Sequence, residues 1–133
     1  KDQTLNTPAI ATLIMLNEQL QWLNNNGGMA WATARCAKNA SLLYQWAEQS
    51  DYAHPFVADP ALRSNSVVTI DLDDRINAKQ VTAALRENGI LDTSGYRKLG
   101  RNQLRVGVFP SVEPADVAAL TNCVDYVVGQ LWE

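Results

Sequence analysis

Tyr96 to Pro110 reads Y-R-K-L-G-R-N-Q-L-R-V-G-V-F-P, and the second half of this stretch alternates as a strand does. Leu104, Val106 and Val108 fall on one face, and Arg105 falls on the other. The same fifteen residues hold Arg97, Lys98, Arg101 and Arg105, four of the chain's eleven basic residues, with no acid between Asp92 and Glu113. In a chain of net charge −3 this is a local reversal of sign, and it makes an anion site. A strand backed by apolar residues and aiming one arginine outward is a rigid mount. The planar fork of that arginine suits a carboxylate or phosphate. The competing reading is a basic hairpin whose charges stay in water.

Working outward, Val67–Leu72 reads as a second strand by its β-branched content, and Ile90-Leu91 as a short third. Asn77 with Gln80 forms a capping box for a helix through Val81, Leu85 and Asn88, stopped by Gly89. Pro114 opens a last helix with Val117, Leu120, Val124, Val127, Val128 and Leu131 on one face. Toward the N-terminus, Thr7 caps and Pro8 begins a helix that carries Ile10, Leu13, Ile14, Leu16, Leu20 and Leu23 to about Asn24. Asn24-Asn25-Asn26-Gly27-Gly28 ends it, and a second long helix follows from about Met29 to Gln49. Residues 50–65, with Pro55, Pro60 and the lone histidine His54, read as a long loop. The order α-α-β-α-β-β-α gives an α+β fold: two long N-terminal helices, then a small, mainly antiparallel sheet covered by helices.

A chain of 133 residues with 47% hydrophobic and 19% charged residues suits one globular domain. Its mild acidity argues against nucleic acid, whose binders are broadly basic. The longest apolar run, near Ile10 to Leu16, is too short for a membrane span, and no signal peptide is evident. Cys36 and Cys123 fit buried free thiols of a cytoplasmic protein and have no metal-type spacing. Asp71, Asp73 and Asp74 lack the glycine and glutamate of a calcium loop and read as a solvated strand end, so no metal is expected. Lys1 is not a methionine, and the chain is expected to be a piece of something longer.

The residues assemble no self-contained active site. There is no Gly-rich phosphate loop, no HExxH and no nucleophile elbow. None of Lys1, Lys38, Lys79 and Lys98 has the setting of a cofactor-bearing lysine. Two anion-binding ends remain: the arginine-bearing strand, and the helix start at Asn6-Thr7-Pro8, where free N–H groups and a positive dipole end suit a phosphate.

Q-T-L-N-T-P-A-I-A-T-L at the start, the glycine pair after the first helix, and G-R-N-Q-L-R-V-G-V-F-P-S-V-E-P-A-D-V from Gly100 form a joint pattern. Together they resemble the C-terminal part of the phosphoserine aminotransferases, in the form seen in actinobacteria. These are fold-type I aminotransferases that use pyridoxal 5′-phosphate. The resemblance covers essentially the whole chain. It implies a cytoplasmic homodimer that moves an amino group between glutamate and 3-phosphohydroxypyruvate, giving O-phosphoserine and 2-oxoglutarate in serine biosynthesis. Related members also serve pyridoxine biosynthesis.

The resemblance places the cofactor lysine upstream, in a large domain that is absent here. No catalytic residue is then expected in this chain, no cofactor is expected on it alone, and alone it should not transaminate. Residues 1–7 would be the end of the connector and 8–133 the small domain, with a helical hairpin at 8–49, a loop at 50–65 and an α/β part at 66–133. Asn6 and Thr7 fall on the family's Asn-Thr pair, which contacts the cofactor phosphate of the other subunit. Arg105 falls on the carboxylate-binding arginine. Where many members carry a His-Arg pair for the substrate phosphate, this chain offers Arg97, Lys98 and Arg101, with the choice among them open. The rival class is a stand-alone, ferredoxin-like module that binds amino acids or other small anions, to which residues 66–131 are also suited.

Overall fold

The computed structural model describes residues 3–132, which divide after Ala32 into two compact units. Lys1 and the start of the expected connector lie outside the described residues.

In the first unit, helix α1 spans Ile10–Asn25. It begins later than Thr-Pro suggests. Its N-cap is Ala9, no side chain caps it, and the Ile10 amide turns back onto the Pro8 carbonyl at 2.9 Å. This tight turn postpones the first helical residue, so Thr7 sits too far upstream to reach an orphan N–H. The expected Thr7 cap is therefore corrected. Helix α1 buries nothing within its unit: Ile10, Leu13, Ile14, Leu16 and Leu20 are all exposed. Asn26 ends the helix, and Gly27 and Gly28 follow with φ of 111° and 65°, a region costly for any residue with a Cβ. Helix α2, Gly28–Gln49, starts there. Trp31 on its first turns meets Trp22 edge to face, with ring centroids 5.3 Å apart.

The second unit holds the rest of α2 and all of the sheet. Strand β1 is Ala53–Pro55, β2 is Val67–Leu72 and β3 is Gln103–Gly107; the sheet order is β1-β2-β3 and both pairings are antiparallel. Helix α3 spans Ala78–Glu87 and α4 spans Pro114–Trp132. Val68, Ile70 and Leu72 alternate inward from β2 and join Leu104 of β3. Ala40, Leu43, Tyr44 and Ala47 of α2, Val81 and Leu85 of α3, and Val117, Val124 and Val128 of α4 complete one core. The helices thus cover the inner face of the sheet and leave its outer face polar. This is the α+β architecture expected.

Three further expectations change. The stretch 50–65 is not all loop: Ala53–Pro55 pairs with β2, and Pro60–Leu62 forms a 3-10 turn capped by Asp59. Ile90-Leu91 is no strand. Gly89, at φ 84°, closes α3 in a Schellman turn, with the Gly89 amide on the Arg86 carbonyl and the Ile90 amide on that of Leu85. The Ile90 N–H is spent there and cannot enter a ladder. Instead, Ser94 makes a single bridge to Leu104. The capping box is also looser than expected: the Asn77 side chain accepts from the Lys79 amide rather than from that of Gln80. Among the described residues, no helix is long and apolar enough to cross a membrane.

Candidate functional site: the outer face of the sheet

The register decides which residues share the outer face. Thr69 faces Arg105 across the β2–β3 pair, Asp71 faces Gln103, and on the other side of β2 His54 faces Asp71. Cross-strand partners point the same way, so His54, Thr69, Asp71, Gln103 and Arg105 all lie opposite the core. Arg105 is exposed, as the alternation required, and its guanidinium carbon lies 5.8 Å from the centre of the Tyr96 ring. Its amide donates to the Thr93 carbonyl at 2.9 Å, which holds the 92–94 segment along the free edge of β3. A cleft of about 790 Å³ opens beside it, lined by Ile90, Leu91, Val106, Phe109 and Leu120, with Asp92 and Asp116 at its polar parts.

The other cations of the basic stretch are placed differently. Arg101 lays its Nε and one terminal nitrogen on the two oxygens of Asp71, at 3.1 and 2.5 Å, and covers the Phe56 ring at 4.9 Å. The carboxylate beside it holds the guanidinium pKa above its ordinary value. Gln103, buried and polar, donates to the same Asp71 at 2.9 Å. Asp71 is therefore no solvated strand end. Asp73 stays at the surface, where it takes the guanidinium of the exposed Arg75 and is held below the usual carboxylate range by it. Arg97 and Lys98 sit in the exposed turn between Tyr96 and Gly100, and among the described residues neither makes an ion pair. Arg97 and Arg101 line a second cavity of about 640 Å³, together with Lys79 and Asn77 at the head of α3. Sequence alternation turned Arg105 to the outer face, where it lies. It missed Asp71 and Gln103, because their pairing depends on the register between two strands thirty residues apart.

At the N-terminal end, Asn6 and Thr7 are exposed in a non-helical segment ahead of α1. Since neither caps the helix, their amide and hydroxyl donors are not consumed by it.

The class-V aminotransferase profile matches residues 1–117. The chain belongs to that family. Over 131 residues it is 62% identical to a phosphoserine aminotransferase of Rhodococcus opacus, across 98% of this chain and 35% of that enzyme. A phosphoserine aminotransferase of Rhodococcus jostii matches to the same extent. Among solved structures, the phosphoserine aminotransferase of Bacillus circulans subsp. alkalophilus superposes with a TM-score of 0.85 at 27% identity, over 94% of this chain and 34% of that one. The pyridoxal-phosphate-bound enzyme of Trichomonas vaginalis shares the fold, with a TM-score of 0.75 at 19% identity, over 92% and 34%. The chain thus spans about a third of the length of the curated relatives it matches.

Membership of the class-V aminotransferases implies pyridoxal 5′-phosphate in the whole enzyme. The residues present fit part of that group. Asn6 and Thr7 offer neutral donors suited to its phosphate oxygens. When bound, the cofactor supplies the electron sink for amino transfer.

Proposed function

We propose that the chain is the C-terminal portion of a phosphoserine aminotransferase, which moves an amino group between glutamate and 3-phosphohydroxypyruvate and gives O-phosphoserine for serine synthesis. The observation that carries this reading is the 62% identity to a phosphoserine aminotransferase along nearly the whole chain. In this reading Arg105 clamps the substrate carboxylate, so that the α-carbon lies correctly against the cofactor. Arg97 and Lys98, which make no ion pair among the described residues, take the substrate phosphate, whereas Arg101 is committed to Asp71. A substrate without the phosphate leaves those cations uncompensated, and this is the source of selectivity. Asn6 and Thr7 contact the cofactor phosphate held by the other subunit of a cytoplasmic homodimer. A phosphorylated threonine analogue, of the kind used in pyridoxine synthesis, meets the same two anion contacts.

The catalytic lysine belongs to the remainder of the enzyme, so this chain alone binds no cofactor and does not transaminate. The test is to express the full-length polypeptide and this chain side by side, assay O-phosphoserine with 2-oxoglutarate, and treat both with borohydride. Turnover and a pyridoxyl-lysine upstream of Lys1 in the full-length protein only is the expected result. Turnover by this chain alone, or none by the full-length protein, contradicts the reading.

A further inference from the structure

Asn102 stands immediately before β3 and ties it to two other elements at once. Its Nδ2 donates to the carbonyls of Leu72, Asp73 and Ile76, at 3.1, 3.1 and 2.7 Å. Its Oδ1 accepts from the Ala78 amide at 2.9 Å. Its own carbonyl accepts from the Leu72 amide at 2.9 Å. An amide nitrogen has two hydrogens, so three acceptors require one of them to be shared; both donors and the acceptor oxygen of this side chain are engaged. The end of β2, the 73–77 turn and the first residue of α3 all converge on it.

The flanking residues reinforce the anchor. Arg101 and Gln103 both donate to Asp71, one position back along β2 from Leu72. Gly95 comes so close that a Cβ there would lie 2.8 Å from the Gln103 carbonyl oxygen. Three consecutive residues thus fix the height and register at which β3 begins, and Arg105 follows two residues after Gln103. No ion pair holds Arg105 itself among the described residues. Strand β3 lies at the sheet's edge, where the 92–94 segment touches it through the Thr93 carbonyl and the Ser94 bridge. A slip of one residue would turn Arg105 from the outer face toward the core. The direction of its fork therefore depends on the anchor more than on any contact of its own.

We propose that Asn102 is a positioning residue for Arg105: by clamping the β2 end and the α3 start to the first residues of β3, it sets where the guanidinium meets a substrate carboxylate. The proposal rests on the reading of Arg105 given above. It is tested by a double-mutant cycle in the full-length enzyme, with kcat and KM for 3-phosphohydroxypyruvate measured for Asn102→Ala, Arg105→Ala and the two combined. Asn102→Ala is expected to lower kcat/KM about fivefold, with the loss in KM. Added to Arg105→Ala, it should lower kcat/KM no further, since there is then no fork to misplace.

A full additional fivefold loss in the Arg105→Ala background, or no loss in Asn102→Ala alone, overturns the proposal while leaving Arg105 in the site. An Arg105→Ala enzyme with unchanged kinetics overturns the underlying reading instead. If Asn102→Ala fails to fold, Asp71→Asn loosens the same anchor and keeps all four side-chain bonds of Asn102. Its loss should likewise vanish in the Arg105→Ala background, and a loss that persists there contradicts the positioning role.

Discussion

Arg101 and Asp71, thirty residues apart, form a two-pronged ion pair across the outer face of the sheet, at 3.1 and 2.5 Å. The pair divides the basic stretch into two roles. One cation holds the stretch to β2, while Arg97, Lys98 and Arg105 make no ion pair among the described residues and are the ones proposed to meet an anionic ligand.

It follows that Arg97→Ala combined with Lys98→Ala in the full-length enzyme should lower kcat/KM for the phosphorylated substrate by about tenfold. A carboxylate substrate without the phosphate should react as before. Arg101→Ala should weaken both substrates alike, because it loosens the strand and removes no ligand contact. Steady-state kinetics with the paired substrates separates the two outcomes.

Ile70 lies at the middle of β2 with no exposed surface, packed among the helices and Leu104. Ile70→Ala should cost about 2–5 kcal/mol, through lost burial plus the cavity left in a core that relaxes only partly. Urea unfolding of the wild-type and variant proteins measures it. Thr69→Ala, one residue along on the outer face, should cost far less.

Tyr52 donates to the Asp125 carboxylate, which also receives the Trp46 indole N–H at 2.9 Å. Burial first, and then the bonded carboxylate, push the Tyr52 phenol well above its ordinary value of 10. Burial also raises Tyr44. Above about pH 10 the unfolded chain releases these protons while the folded chain keeps them. Their stabilising contribution is therefore complete below that pH and declines above it. Thermal midpoints between pH 8 and 11 should fall steeply at the alkaline end, and Tyr52→Phe should flatten the fall while lowering the midpoint at pH 8.

Local chemistry made most of the fold readable. The β-branched run Val67–Leu72, the Asn77 start and Gly89 stop of α3, and Pro114 at the head of α4 each act within a few residues, and each element forms where its signal lies. What stayed hidden depends on distance. Strand β1 has three residues, Ala-His-Pro, with no alternation to show, and it exists because β2 offers it an edge. Ile90-Leu91 has strand-like side chains, but the turn ahead of it takes the Ile90 amide. Thr7 has the chemistry of a cap without the position, because the Pro8–Ile10 turn intervenes. At the site, a period of two sufficed to turn Arg105 outward. The sequence around Arg101 gives no sign that Asp71 claims it, since that pairing is set by strand register.

The carboxylate grip proposed for Arg105 is open to one decisive kinetic comparison. Arg105→Ala in the full-length enzyme should lower kcat/KM for O-phosphoserine by about tenfold or more, while the absorbance of bound pyridoxal phosphate is retained. Arg105→Lys should also be poor, because a point charge does not reproduce the fork. An Arg105→Ala enzyme with wild-type kcat/KM would remove Arg105 from the site.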